Sequence, residues 1–170
     1  MKRTSLAHWP CSIARTMDLL GDWWTPLVLR EAFYGVRRFD DFQHSLGLAR
    51  NTLTVRLQRL VEEGLLERVP YQQRPERFEY VLTDKGRDFY PVLMALTAWG
   101  DRWLSGPQGP PVTLRHEECG HTTSAVVVCE HCGEPLKAGA VRGEMGPGFP
   151  ERLAQRPDVR ERFGARPDSA

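Results

Sequence analysis

The sequence predicts a mainly α chain with a small β-hairpin, an α+β domain, followed by a small β unit held by Cys and His side chains. Three observations carry that prediction. Residues 39–64 form a pair of short amphipathic helices joined at a glycine; strand periodicity follows directly; and a near repeat of Cys/His turns lies beyond a Pro/Gly-rich break.

The helix pair is the clearest of the three. At about 100° per residue, Leu53, Leu57, Leu60, Val61 and Gly64 fall on one side, and Asn51, Val55, Gln58, Arg59 and Glu62 on the other. Upstream, Phe39, Phe42 and Leu46 recur at helical spacing, with Asp40 as candidate N-cap and Gly47 where the first helix stops. The second helix carries Arg50, Asn51, Thr52 and Thr54 in its exposed first turns, the arrangement of a helix-turn-helix.

In chain order, residues 1–10 read as a leader. Ile13, Met17 and Leu20 mark a short amphipathic helix over 11–20 that Gly21 ends. Thr25 offers a capping hydroxyl before Pro26 at the first helical position, and the helix continues over 27–34 to Gly35. After the central pair, 65–70 and 78–82 read as two strands around a tip of 72–76, with Phe78, Tyr80 and Leu82 on one face. A hairpin in that place, with Arg74 and Arg77, has the character of a wing whose tip lies along phosphates. Thr83 caps a further helix over 84–104, whose Phe89, Val92, Leu93, Leu96, Trp99 and Trp103 make a broad apolar stripe. Such a stripe exceeds what one small domain buries, so this helix and the 11–20 helix are expected at a homodimer interface.

Composition fixes the wider setting. With 41% hydrophobic and 26% charged residues, the 170-residue chain reads as a globular protein and not a disordered one. No apolar run reaches the about 20 residues of a bilayer span, and the N-terminus lacks a signal-peptide core, so a cytoplasmic, non-membrane protein is expected. There, four cysteines point to metal or redox chemistry and away from structural disulfides. The net charge of +1 excludes binding by bulk positive charge, but 50–77 holds six arginines against four glutamates, with Arg37 and Arg38 just upstream.

Many separated positions carry a family resemblance: Cys11, Leu20-Gly21-Asp22-Trp23-Trp24-Thr25, Arg38-Phe39, Leu53-Thr54 with Leu57 and Leu60, Glu63-Gly64-Leu65-Leu66-Glu67-Arg68, Glu79-Tyr80, Leu82-Thr83-x-x-Gly86, and Trp99. In these the chain resembles an HxlR-type winged helix-turn-helix transcriptional regulator over 11–104. The resemblance implies a dimeric bacterial regulator, usually a repressor, that binds double-stranded operator DNA. It implies a recognition helix over 49–59, a wing over 65–82, and dimer contacts through the first and last helices. It also implies that Cys11 senses oxidants or electrophiles; Arg15, one turn on, and the helix start offer modest support for a thiolate. Ala49 departs from the capping Ser or Thr common in the family, which leaves the helix start open between Ala49 and Asn51.

The expected DNA contacts are Arg50, Asn51, Thr52, Thr54, Val55, Gln58 and Arg59 on the helix, and Arg74 and Arg77 on the wing. Asn51 and Thr54 suit base edges, Arg50 or Arg59 a guanine or a phosphate, and the wing arginines the backbone or minor groove.

Residues 105–111, SGPQGPP, read as a linker. Beyond it, His116-x-x-Cys119-Gly120 and Cys129-x-x-Cys132-Gly133 have the spacing of two zinc knuckles, completing a structural Cys3His site. His121 stands as the alternative to His116, and His131 is expected to point away. The expected organisation is a leader 1–10, a winged helix-turn-helix 11–105, a linker 106–111, a zinc-ribbon-like unit 112–142 and a disordered tail 143–170, in which Phe149, Leu153 and Phe163 leave room for a short helix. A zinc-dependent or redox enzyme on the Cys/His unit, or a winged helix used for protein contacts, is the rival reading. No open coordination position and no acid–base pair favours the enzyme, so none is expected.

Overall fold

The computed structural model describes residues 4–164, which divide into two compact units: 19–126, and the described residues up to Asp18 together with those from Val127 on. The division falls inside the stretch expected to form one zinc-ribbon-like unit.

The helical part of unit 19–126 follows from its leucines. α1 (Ser12–Leu20) enters the unit at its last residues, and α2 (Trp24–Phe33), α3 (Phe39–Leu46) and α4 (Arg50–Glu62) come next. Phe42 from α3, Leu53, Leu57 and Leu60 from α4, and Val28 and Leu29 from α2 are fully buried together. The helical period read in the sequence thus becomes the core, with each buried Leu contributing about 1.5–3 kcal/mol of apolar transfer. Gly47, at φ +62, closes α3 in the left-handed region that favours glycine. α4 starts at Arg50 after an extended Ala49 with no side-chain cap, so the missing Ser or Thr does not shift the helix start.

Two expected caps fall elsewhere. Asp22, not Thr25, caps α2: its Oδ1 accepts from the N–H groups of Trp24 at 3.0 Å and Thr25 at 3.2 Å. Thr25 itself is buried inside the first turn, because the helix begins at Trp24, two residues before the expected Pro26. Asp40 likewise sits within the first turn of α3 and not at its N-cap, Arg38.

β1 (Leu66–Gln73) and β2 (Glu76–Leu82) form an antiparallel hairpin from Leu66↔Leu82 to Gln73↔Glu76, with a register shift between Pro70 and Gln72. The strands run further towards the tip than expected, since backbone pairing tolerates the polar Gln72 and Gln73. The segment before α3 adds to the hairpin: Arg38 bridges Glu79, and Tyr80 N–H donates to the Arg37 carbonyl at 2.8 Å.

Thr83 caps the next helix as expected, its Oγ1 accepting from Gly86 N–H at 3.0 Å. That helix is two: α5 (Asp84–Arg87) stops, and α6 (Tyr90–Leu104) restarts with Pro91 in its first turn, where a missing N–H costs nothing. Gly86 is buried against Leu65, and a Cβ there would run into the Leu65 carbonyl. This explains the Leu-Thr-x-x-Gly pattern. On α6, Leu93 reaches the core while Val92, Leu96, Trp99, Trp103 and Leu104 stay exposed. The unit ends with β3 (Leu114–Arg115) paired to β4 (Thr122–Thr123).

In the other unit, Ser5 Oγ and Leu6 N–H both donate to the Asp18 carboxylate, which ties the leader to α1. The expected disordered tail is structured over its described residues, as α7 (Glu151–Ala154) and α8 (Pro157–Phe163), with Phe149 and Phe163 5.6 Å apart between ring centroids. One aromatic pair closes a segment whose composition alone signals little core. Residues 165–170 of that expectation lie outside the described residues. Among the described residues no helix is long and apolar enough to cross a membrane.

Candidate nucleic-acid interface

α4 buries Leu53, Leu57 and Leu60, so its opposite side is necessarily presented outward. Arg50, Asn51, Thr54, Val55 and Gln58 are exposed there, and Thr52 and Arg59 are half-buried. Val55 is 54% exposed, an apolar side chain placed for contact with a groove and not for the core. Thr54 Oγ1 donates back to the Arg50 carbonyl at 2.9 Å, which leaves the hydroxyl oxygen as an acceptor. Gln58 Nε2 donates to Glu62 Oε1 at 2.8 Å, and Arg59 pairs with Glu63 at 2.8 Å. Both pairs hold their side chains along the helix until a competing partner arrives.

The arginines around this surface are oriented by aromatic rings. Arg50 lies over the Phe39 ring at 4.7 Å and 3.9 Å from Asp40, at the adjoining N-termini of α3 and α4. Arg38 lies 4.5 Å from the Tyr71 centroid and 3.2 Å from Glu79; Arg68 lies 3.9 Å from the Phe78 centroid. Such stacking keeps a guanidinium extended while its N–H groups remain available. Arg38, Arg50 and Arg77 line a cleft of about 590 Å³ between the start of α3 and the wing. Arg74 and Arg77 are exposed at the wing tip and beside it. Arg38 and Arg68 were not among the expected contacts; Arg38 lies outside the hairpin, just before α3, and only the fold brings it to Tyr71.

One further arginine of α4 turns inward. Arg56 pairs with Asp22, the same carboxylate that caps α2 and also accepts from Thr25 Oγ1 at 3.3 Å, and Arg56 Nε is buried without a partner. Nothing in the local sequence signals a pair between residues so far apart.

Cys11 is exposed at the N-terminus of α1, where Ala14 N–H approaches its sulfur at 3.5 Å; Arg15 instead donates to Ser12 Oγ at 3.4 Å. His116 Nδ1 lies 3.3 Å from Cys119 Sγ. The backbone N–H groups of Cys132 and His131, with the Cys132 side chain, hold the Cys129 thiol below its ordinary range. Among the described residues, no three or more His, Cys, Asp or Glu side chains gather as a metal site.

A helix-turn-helix whose second helix is open along one side, followed at once by an arginine-edged hairpin, defines a winged helix-turn-helix domain. The chain belongs to the HxlR-like helix-turn-helix family, whose model matches residues 19–108, and is a transcriptional regulator with a helix-turn-helix DNA-binding domain. It is 50% identical over 143 residues to an HTH-type transcriptional regulator of Mycobacterium tuberculosis, covering 84% of this chain and 90% of the relative. The crystal structure of PA1607, a proposed transcription factor, matches with TM-score 0.76 at 39% identity, over 84% of this chain and all of that one. The redox regulator HypR in its reduced form matches with TM-score 0.51 at 28% identity, over 55% of this chain and 96% of its own.

Proposed function

We propose that this regulator binds a two-fold operator as a homodimer, with α4 in the major groove and the β1–β2 wing on the phosphate backbone, and that it represses transcription. The observation that carries this reading is the open side of α4, from Arg50 to Gln58, set beside arginines held outward by Phe39, Tyr71 and Phe78. In this reading Asn51, Thr54 and Val55, exposed on α4, read base edges and thymine methyls, while Arg38, Arg50, Arg74 and Arg77 serve phosphates. Arg59 exchanges Glu63 for a guanine or a phosphate. The exposed apolar residues of α6 need a second copy to cover them, since Trp99 and Trp103 are 59% and 63% exposed. α1 is expected at the same interface.

Thiol sensing at Cys11 belongs to the same proposal: the thiol is exposed at a helix start, and a redox regulator is among the structural relatives. A change at Cys11 acts by altering the pairing of the two DNA-binding heads. The place of action is the cytoplasm, and no enzymatic step is assigned.

Selection of duplexes from a random pool, followed by footprinting, tests the reading. It predicts a palindromic site whose half-sites lie about one helical turn apart. A preferred site without two-fold symmetry would overturn the dimer, and binding that survives joint replacement of Arg50, Arg59, Arg74 and Arg77 by Ala would overturn the contact map. Treating wild type and Cys11→Ser with an oxidant separates out the sensing part: equal operator affinity before and after treatment of the wild type would remove it.

A further inference from the structure

Two short loops near residues 116 and 129 share one backbone construction. In the first, Arg115 pairs with Thr122 around HEECGH; in the second, Val128 pairs with Pro135 around CEHCGE. In each, the N–H of the first loop residue donates to the carbonyl of the last: His116 to His121 and Cys129 to Glu134, both at 2.9 Å. The N–H of the fifth residue returns to the carbonyl of the first, from Gly120 at 2.7 Å and from Gly133 at 2.8 Å. Both glycines are left-handed, at φ +69 and +75, a conformation that L side chains avoid. Positions one and four of the two loops therefore correspond, but their chemistry differs. The first loop sets His116 Nδ1 3.3 Å from Cys119 Sγ, whereas the second has a thiol at both places, Cys129 and Cys132.

The second loop is self-contained. Its closing hydrogen bonds, and a further one from Leu136 N–H to the Val127 carbonyl at 2.9 Å, all lie within residues 127–136. The bond from Gly133 N–H to the Cys129 carbonyl makes residues 129–133 one turn of helix, which puts Cα atoms three residues apart about 5 Å from one another. A disulfide spans about 4.4–6.8 Å between Cα atoms, so the backbone of the loop already holds the two cysteines at bonding range. The Cys132 side chain also reaches the Cys129 sulfur. Access is open: Cys132 is exposed, Cys129 is half-buried, and Glu130, His131 and Gly133 around them are exposed. Neither Cys11 nor Cys119 has a second cysteine within its own turn, so the 129–132 pair is the one that can close on itself.

We propose that Cys129 and Cys132 are an oxidant-reactive dithiol that closes to a reversible disulfide within its own loop, a second thiol site separate from Cys11. A peroxide is the class of oxidant that a small, open loop admits. The exposed Cys132 sulfur takes one peroxide oxygen as the O–O bond breaks, and its thiol proton leaves with the other oxygen as water, giving a sulfenic acid. Cys129 Sγ then attacks Cys132 Sγ; the S–S bond forms, the S–O bond breaks, and the sulfenic oxygen leaves with the Cys129 proton as a second water. Two thiols have lost two electrons and two protons, and one peroxide has become two waters. A thiol reductant reverses the step by exchange. This inference depends neither on the DNA contacts nor on the sensing role of Cys11 proposed above.

The test uses the full chain, reduced and then freed of reductant, as wild type and as the double variant Cys11→Ser with Cys119→Ser. Elemental analysis of both proteins comes first. Each is then treated with equimolar hydrogen peroxide, its remaining thiols are blocked with N-ethylmaleimide, and its tryptic peptides are sequenced by mass spectrometry. In both proteins most of the 116–137 peptide is expected to be lighter by two hydrogens than its reduced form, with Cys129 joined to Cys132 and with both thiols recovered after dithiothreitol. The linkage is expected to stay within one chain on non-reducing gels. Cys129→Ser is expected to stop at the sulfenic acid of Cys132, which dimedone labels. The double variant leaves the loop itself untouched, so the result stands even where replacing Cys129 unfolds it. Free alkylation of Cys129 and Cys132 after peroxide, a disulfide from either one to Cys11, Cys119 or a second chain, or a zinc ion in the purified protein that keeps both thiols reduced would each overturn the proposal.

Discussion

Replacing Asp22 separates two jobs that one carboxylate performs. Its Oδ1 accepts from Trp24 N–H at 3.0 Å and Thr25 N–H at 3.2 Å, and the same side chain holds Arg56 of α4. Losing an N-cap costs about 1 kcal/mol. The Arg56–Asp22 pair has side-chain exposures of 29% and 19%, between the surface pairs that contribute at most about 1 kcal/mol and the buried pairs whose breaking costs about 3–5. A value of about 1–2 kcal/mol is therefore assigned to the pair. Asn at position 22 keeps an acceptor for the helix start and loses only the charge, whereas Ala loses both. Asp22→Asn is expected to destabilise by about 1–2 kcal/mol and Asp22→Ala by about 2–3 kcal/mol, with unchanged m-values in urea unfolding. Adding Arg56→Met to each closes a double-mutant cycle, expected to show a coupling of about 1 kcal/mol or more. A coupling near zero, or an Asp22→Ala no less stable than Asp22→Asn, would refute the reasoning. Because Arg56 fixes α4, the helix proposed to read the operator, against the start of α2, Arg56→Met is also expected to blur operator preference.

Gly86→Ala is expected to destabilise by about 2–3 kcal/mol, since the new Cβ meets the backbone carbonyl of Leu65 and the wing-to-helix junction must shift; thermal unfolding reads it. Arg59→Ala is expected to cost about 1–3 kcal/mol and relax one operator position where the arginine reads a guanine, whereas Arg74→Ala weakens all sequences alike and lowers the salt slope by about 1. Titrations at several salt concentrations separate the two. Trp99→Lys places a charge in the exposed α6 stripe and is expected to weaken dimerisation by about 2 kcal/mol or more, roughly 30-fold, in sedimentation equilibrium.

What the sequence disclosed depended on range. Leu53, Leu57 and Leu60 were legible as a core because helical periodicity maps directly onto one side of α4, and all three are fully buried. Thr83 was legible as a cap because its partner, Gly86, is three residues away. Local competition was harder to resolve. Asp22 and Thr25 both suited a helix start, and the choice depended on where the helix begins. The single helix expected over 84–104 breaks before Tyr90, with Pro91 in the first turn of the helix that restarts there. Pairings between distant segments left no sequence trace. Arg56 and Arg59 look alike on paper, yet one is taken inward by Asp22 and the other lies along the helix with Glu63. In the tail, where Phe149, Leu153 and Phe163 left room for one short helix, the described residues form two, α7 and α8, with Phe149 against Phe163.

Competition binding at physiological salt tests the central claim most directly: the full chain on a duplex selected from a random pool, against a scrambled duplex of the same composition. A helix-turn-helix that reads base edges through Asn51, Thr54 and Val55 is expected to prefer the selected duplex by about 1,000-fold or more, and to lose most of that preference in Asn51→Ala with Thr54→Ala. Equal affinity for both duplexes would contradict sequence-specific recognition by α4.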